Sequence, residues 1–342
     1  MPRRHGSLQF RPRKRARTLK AVFRSYPKLD LDKPTLVAFP GYKVGMLHVV
    51  LVDDRPGRLT TGQEITLAST VVETPPVKIV GFRAYRSTPK GLAPMSTGIR
   101  VEKDSPLSRL FPVGDGVDNL DKALSIAKES LDKIAELRAL VHTHPYMAGG
   151  VSKKTPELTE IPLIGGTQEE RLNFIEEKMG ALVRVSDVFK EGQFIDITGV
   201  TKGKGFEGVV RRFGVELLPH KAGKGRWKVG SLGSRHPPYI TWRVPRPGQT
   251  GFHKRTEYNK RILKIGLADI GEDGSPKKLL SDINPKGGFT NYGLVRCDYV
   301  LVSGSVMGPP KRFVMMRYAI RPPKYELGAP KISYISTVGR VG

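Results

Sequence analysis

The chain has 342 residues, with 58 Lys and Arg against 32 Asp and Glu, a formal net charge of +26 at pH 7. A soluble monomer carrying that excess repels itself and binds polyanions, so an ordinary solvated surface is excluded and nucleic acid is the expected partner. Hydrophobic residues make up 38 %, enough for one core with long stretches outside it.

Residues 1–36 hold 11 Lys and Arg and two acids, Asp30 and Asp32. Polar, proline-bearing and without period, they read as a basic arm. The opening MPRRHGSLQFRPRKRAR lacks the apolar segment of a secretory leader, and no apolar run reaches membrane-spanning length, so the expectation is a soluble, intracellular chain that meets no membrane. From Val37, VAFPGYKVGMLHVVLVDD and QEITLASTVVETPPVKIVGFRAYR alternate β-branched and polar residues between prolines and glycines, the pattern of short antiparallel strands.

Residues 101–180 differ, with 10 basic and 14 acidic residues. Leu120, Leu124, Ala127, Leu131 and Ile134 recur at helical spacing, and Thr167 to Glu170 spells a capping box ahead of Leu172, Ile175 and Met179. An inserted α/β subdomain facing away from the nucleic acid fits this balance. Strand patterns return at QFIDITGVT (193–201) and YGLVRCDYVLVSGSVMG (292–308), and strands so far apart in sequence suggest a barrel closed by late segments.

The most basic stretch is Gly199–Gly266. Thr201 to Lys264 contains 16 Lys and Arg against Glu207, Glu216 and Glu257. Its glycines, prolines and scattered apolar residues cannot recover the entropy of ordering by burying themselves. A large anionic partner must order it, and RNA is the candidate. Trp227, His236, Tyr239, Trp242, Phe252, His253 and Tyr258 alternate there with cations, the chemistry of base stacking beside phosphate pairing. Trp242 and Tyr239 can equally pack on each other to stiffen a hairpin.

Other motifs carry less. Gly203–Lys204–Gly205–Phe206–Glu207–Gly208 spells G-x-G-x-x-G, but VVRRFG after it reads as strand and no acid follows at the required distance. Glycines between lysines instead let backbone approach phosphates. His142 and His144 could ligate a metal from alternate strand positions, but with no third ligand evident a surface strand is the expectation. Asp187, Glu191 and Asp196 read as solvated charges. Cys297 is the single cysteine, so there is no disulfide or cysteine zinc site, and it reads as buried packing. Nothing argues for catalysis.

At VTKGKGFEGVVRRFG, VPRPGQTGFHKRTEYNKRILKIG and GGFTNYGLVRCDYVLVSGSVMGPPKR, with GSLQFRPRKRA, FPGYKVGMLHVV and VVETPPVKIVGFRAY, the chain resembles the universal large-subunit ribosomal protein L-three family over essentially its whole length. The acidic helical insert is similar to that of the archaeal/eukaryotic branch. The resemblance implies a mixed α+β, mainly β protein. Its six-stranded translation-protein-type β-barrel would carry the inserted α/β subdomain and long extensions threaded into rRNA. The implied layout is a basic arm (1–36), barrel segments (37–95, 191–212 and 265–342 with the C-terminal tail), the insert (96–190) and a central loop (213–264) reaching toward the peptidyl transferase centre. It also implies a cytoplasmic structural constituent, bound near the 3′ end of the rRNA and needed early in subunit assembly. Its partners would be rRNA and neighbouring ribosomal proteins, without self-association, small-molecule substrate or cofactor beyond magnesium ions and water held mainly by the RNA.

The RNA-binding residues expected on these grounds begin with Arg11, Arg13, Lys14, Arg15 and Arg17 in the arm. Lys202, Lys204, Arg211 and Arg212 would anchor the loop root. Lys224, Arg226, Trp227, Lys228, Arg235 and His236 would line its reach, and Trp242, Arg243, Arg246, Gln249, His253, Lys254 and Arg255 its return. Lys311 and Arg312 would add a late contact. Arg235 stands where relatives usually carry a tip tryptophan; a guanidinium also stacks on a base and forks onto phosphate. The rival classes are an RNA-modifying enzyme or assembly factor with basic extensions, which for an enzyme would need a cofactor pocket or catalytic group, and an architectural DNA binder, which an irregular aromatic arm suits poorly.

Overall fold

The computed structural model describes residues 7, 11–103, 105–112, 116–269, 271, 280–325 and 327–338; most of the first ten residues of the expected arm and the last four of the tail lie outside these. The chain divides into two units, a body of residues 20–199 and 256 onward, and an extension made of residues up to 19 together with 200–255.

In chain order the strands are β1 (Thr35–Leu36), β2 (Ala38–Val52), β3 (Glu64–Glu73), β4 (Val77–Thr88), β5 (Gly91–Val101), β6 (Val117–Asp118), β7 (Glu136–His142) and β8 (Leu158–Ile164). They continue with β9 (Leu182–Val183), β10 (Phe194–Val200), β11 (Gly203–Glu207), β12 (Gly248–Gly251), β13 (Lys254–Gly266), β14 (Tyr299–Ser303), β15 (Phe313–Tyr318) and β16 (Ile332–Ile335). The α-helices are α1 (Leu120–Glu129), α2 (Gln168–Lys178) and α3 (Val209–Phe213). The protein is mixed α+β and mainly β.

One sheet runs β15-β10-β13-β14-β3-β2-β16, and β15 pairs with β2 as well as β10. Its strands are rich in Val, Ile and Met, and Ile197, Val300, Val302, Val314 and Met316 are fully buried. The other sheet runs β1-β8-β7-β4-β5-β6, with β9 on β4. Phe39, Tyr42, Val72 and Met315 of the first share one core with Phe82, Leu137, Ile161, Leu172 and Ile175 around the second. β4 and β5, which begin ahead of the insert expected from residue 96, pair with each other and β4 with β7 in the second sheet, and the chain passes from the first sheet to the second at Pro75–Pro76. Proline cannot donate to a ladder, and the chain changes sheet there.

Local chemistry sets the helix ends. Thr167 and Glu170 form the expected capping box, each side chain accepting from the other's backbone N–H at 3.3 and 2.9 Å. Helix α1 buries Leu120, Ala123, Leu124 and Ala127 but stops at Glu129 rather than Ile134. A 3₁₀ turn follows, and Glu136 already pairs with Tyr85 in the β4–β7 ladder, which takes over the backbone hydrogen bonds.

Two charge assignments differ from expectation. The basic arm, expected to reach residue 36, joins the body at Lys20: Ala21 and Phe23 are buried, and β1 pairs with β8. Asp196, expected in solvent, is fully buried. Both faces of β10 are covered, and Asp196 accepts from Arg317 Nη2 at 2.9 Å, Asn259 N at 3.1 Å and Ile320 N at 3.2 Å. Arg317 lies 4.2 Å over the Phe23 ring and donates to Ser25 O. Asp187 and Glu191 stay exposed, as expected.

Asp196→Ala would leave Arg317 buried without its carboxylate, a change that costs about 3–5 kcal/mol. The loss should appear as a lower midpoint in denaturant unfolding; a loss below about 1 kcal/mol would show that the pair behaves as a surface one.

Candidate nucleic-acid interface

The extension is built on a two-stranded ribbon. Strands β11 and β12 pair antiparallel, Phe206 opposite Gln249 and Glu207 opposite Gly248, with a bulge at Lys204. Gly251 has φ +71°, and a Cβ there would lie 2.0 Å from the Lys202 carbonyl oxygen, so only glycine fits. Helix α3 follows, burying Val209 and Phe213, and ends on Gly214 in the left-handed region at φ +64°. From Gly214 to Pro247 the chain forms no helix or strand and buries no residue. Such a long structureless loop is functional or disordered unless a partner orders it.

The arm of residues 11–17 lies on this ribbon within the extension. Ala16 N donates to Phe252 O at 2.7 Å, and His253 Nδ1 lies 2.9 Å from Lys14 O. Arg212 holds three carbonyls, Gln249 O at 3.0 Å, Arg246 O at 2.8 Å and Arg13 O at 3.1 Å, while Arg13 donates to Arg212 O at 3.2 Å. The guanidiniums of Arg11, Arg13 and Arg212 surround the Phe213 ring, 4.9, 4.3 and 5.2 Å from its centroid. Burial, then neighbouring arginines, lowers the pKa of Arg13, Arg212 and Arg255. Burial also lowers that of His253, with nearby arginines adding to it.

The expected residues therefore separate by environment. Lys14, Arg15, Arg17, Lys202, Lys204 and Arg211 are exposed around the ribbon. Lys224, Arg226, Lys228, Arg235, His236, Arg243 and Arg246 are exposed along the loop with Trp227 and Trp242, which are 69 % and 57 % accessible. The guanidiniums of Arg243 and Arg11 lie 5.7 and 5.8 Å from the Trp242 ring. Gln249 donates to the Thr250 and Gly251 carbonyls and so holds the ribbon. Lys254 and Arg255 are half-buried, and Lys311 and Arg312 belong to the body. The end of the basic run also belongs to the body, as part of β13. There Lys260, Arg261 and Lys264 pair with Glu257, Asp54 and Asp282 at 2.9, 2.5 and 2.8 Å.

What the sequence reading missed is Phe213 as the platform that gathers arginines from two distant segments; the only signal was the adjacent Arg-Arg-Phe. VVRRF is helix α3 rather than strand, and the G-x-G-x-x-G glycines lie in the antiparallel ribbon and at the α3 N-cap, not in a βαβ turn. His142 and His144 are not on a surface strand: His142 ends β7, His144 caps the turn after it, and they are 1 % and 4 % exposed. Their ring centroids lie 4.5 Å apart with the planes tilted by 59°, and their Nδ1 atoms face the carbonyls of Thr143 and Pro76. Among the described residues no group of three or more His, Cys, Asp or Glu could hold a metal, and none of the helices is long and apolar enough to cross a membrane. Cys297 is buried, its thiol donating to Met147 O at 3.2 Å, and burial pushes its pKa well up.

A mainly β body bearing a cationic extension with almost no core defines a polyanion-binding protein. The chain belongs to the ribosomal protein L3 family, which it matches across residues 1–342. It is 45 % identical over 352 positions to the large ribosomal subunit protein uL3 of Caldivirga maquilingensis, covering 99 % of this chain and 97 % of that one. Similar matches are the uL3 proteins of Aeropyrum pernix, 43 % identical with coverages of 99 % and 97 %, and Archaeoglobus fulgidus, 42 % identical with 99 % and 98 %.

The buried histidines give a pH dependence. Burial, with His144 and Lys78 nearby, holds His142 down at about 4, and its Nε2 is buried without a partner. The unfolded chain takes up the proton near 6.5. The stabilisation is thus complete above that pH and is lost as pH falls toward 4, by at most about 3 kcal/mol. His142→Leu should flatten the stability profile between pH 6.5 and 4; an unchanged slope in urea titrations would assign the acid sensitivity elsewhere.

Proposed function

We propose that this chain is a structural constituent of the large ribosomal subunit in the cytoplasm, not an enzyme. It binds large-subunit rRNA through the arm and the extension. The observation that carries the reading is the stretch from Gly214 to Pro247, cationic, exposed and without a buried residue, on a chain of the ribosomal protein L3 family. Backbone phosphates would neutralise the extension, with the exposed indoles of Trp227 and Trp242 stacking on bases. The loop tip at Arg235 and His236 would approach the peptidyl transferase centre, with the Arg235 guanidinium in place of a stacking indole. The body would seat near the 3′ end of the rRNA beside other ribosomal proteins, in one copy, from an early stage of assembly. The cyclic pairing of β2, β3, β14, β13, β10 and β15 supports a six-stranded barrel of the translation-protein type.

Two experiments test this. Replacing residues 222–247 with a short Gly-Ser linker removes six cations and no acid. The body should stay folded, while the slope of log affinity against log salt falls by about four to five; an unchanged slope for large-subunit rRNA would sink the assignment. Sedimentation of a cell extract, probed at low and high salt, should find the protein with the large subunit even after a high-salt wash. Release at moderate salt would instead favour an assembly factor or RNA-acting enzyme whose arms merely coat RNA.

A further inference from the structure

We infer that Arg11, Arg13 and Arg212 form a built seat for one phosphodiester of the RNA backbone, assembled from the arm and the loop root, with Trp242 as the stacking wall for an adjoining base. The inference rests on the RNA-binding reading above and goes further, because it assigns recognition to a fixed guanidinium geometry rather than to charge.

All three guanidiniums lie around one phenyl ring, so no two are separated by much more than one Debye length, about 10 Å at 0.1 M salt. Burial first, and then mutual repulsion, lowers the pKa of Arg13 and Arg212. The Phe213 face offsets part of the repulsion through cation–π attraction, and the bonds of Arg212 go to backbone carbonyls rather than to an acid. Glu207 and Glu216 are the only acids between 200 and 255. Three guanidinium nitrogens remain unmatched: Arg11 Nε, Arg11 Nη2 and Arg13 Nε are all buried from solvent with no hydrogen-bond partner. Shielded donors without a partner are costly, and because both side chains are only partly buried, a small shift of either guanidinium presents these nitrogens to an acceptor. Beside them is an open groove of about 720 Å³ lined by Arg11, Arg13, Arg212, Trp242 and Arg246. A phosphate's anionic oxygens match the forked donors of arginine, and the exposed Trp242 indole, 5.8 Å from Arg11 Cζ, offers a face to a base.

The seat also explains why the arm and the loop root are joined. Arg13 and Arg212 exchange backbone-directed bonds across the two segments, so a phosphate held by both would fasten the N-terminal arm to the loop as the RNA binds.

The test separates fork from charge. The Arg11 guanidinium makes ring contacts with Phe213 and Trp242, and its Nε and Nη2 have no partner. Arg11→Lys therefore keeps the net charge and disturbs little of the fold beyond that stacking. Binding of the full chain to large-subunit rRNA is measured across a salt series. Arg11→Lys should weaken binding about tenfold at fixed salt with an unchanged salt slope, while Arg11→Gln weakens it at least as much and lowers the slope by about one. Arg11→Lys binding like the unmodified chain would overturn the seat and leave a diffuse cationic surface. If the unmodified chain itself fails to bind large-subunit rRNA, the ribosomal reading fails instead. Millimolar inorganic phosphate at constant ionic strength identifies the occupant. The difference between the unmodified chain and the Arg11→Lys variant should persist; its disappearance would show that the seat takes the free ion, which overturns the assignment to RNA.

Discussion

Repulsion among cations that no core can absorb is the constraint on which the rest of this molecule depends. In the body, positive side chains meet carboxylates: Arg317 meets Asp196, Arg184 meets Asp298 at 2.5 Å, and Arg261 meets Asp54. In residues 200–255 there are two acids in all, and the hydrogen bonds of Arg13, Arg212 and Arg226 go to backbone carbonyls. Carbonyl dipoles orient a guanidinium without discharging it. The extension thus keeps its charge for a polyanion, and its isolated form is electrostatically loaded.

Against that load the fold supplies two clamps. The ends of the excursion are held by neighbouring strands β10 and β13 in the body and by the β11–β12 ribbon in the extension. Closing the loop twice leaves Gly214–Pro247 as the span without secondary structure, rather than the whole basic run. The glycines of the ribbon serve the same end. Gly251 lets the two strands approach backbone to backbone, and no side chain could occupy that position.

Much of the fold was legible because alternation and capping are local. AFPGYKVGMLHVVLV became β2, EITLASTVVE became β3, and Thr167 to Glu170 capped α2. The errors came where tertiary context overrides local pattern. Ile134 has helical spacing from Ala127, yet the β4–β7 ladder claims the backbone just beyond it. Val77–Thr88 reads as one more strand of the first sheet, and only the pairing with β7 reveals the change. Asp196, His142 and His144 look like surface polar residues on strands, and a single sequence does not say that both faces of a strand are covered.

The candidate interface was legible in composition and hidden in geometry. Net charge and the lack of apolar periodicity suffice to set apart the arm and the central loop, because both are sums over sequence. They overstate the loop's end, since Lys260, Arg261 and Lys264 look identical to Lys254 until their acids Glu257, Asp54 and Asp282 are placed. They also cannot show that Arg11 and Arg212, 201 positions apart, share Phe213. Charge density is additive along a chain, whereas a donor left without an acceptor is a property of contacts. The distinction between cations that are already partnered and cations with donors left over is therefore what only the folded arrangement supplies.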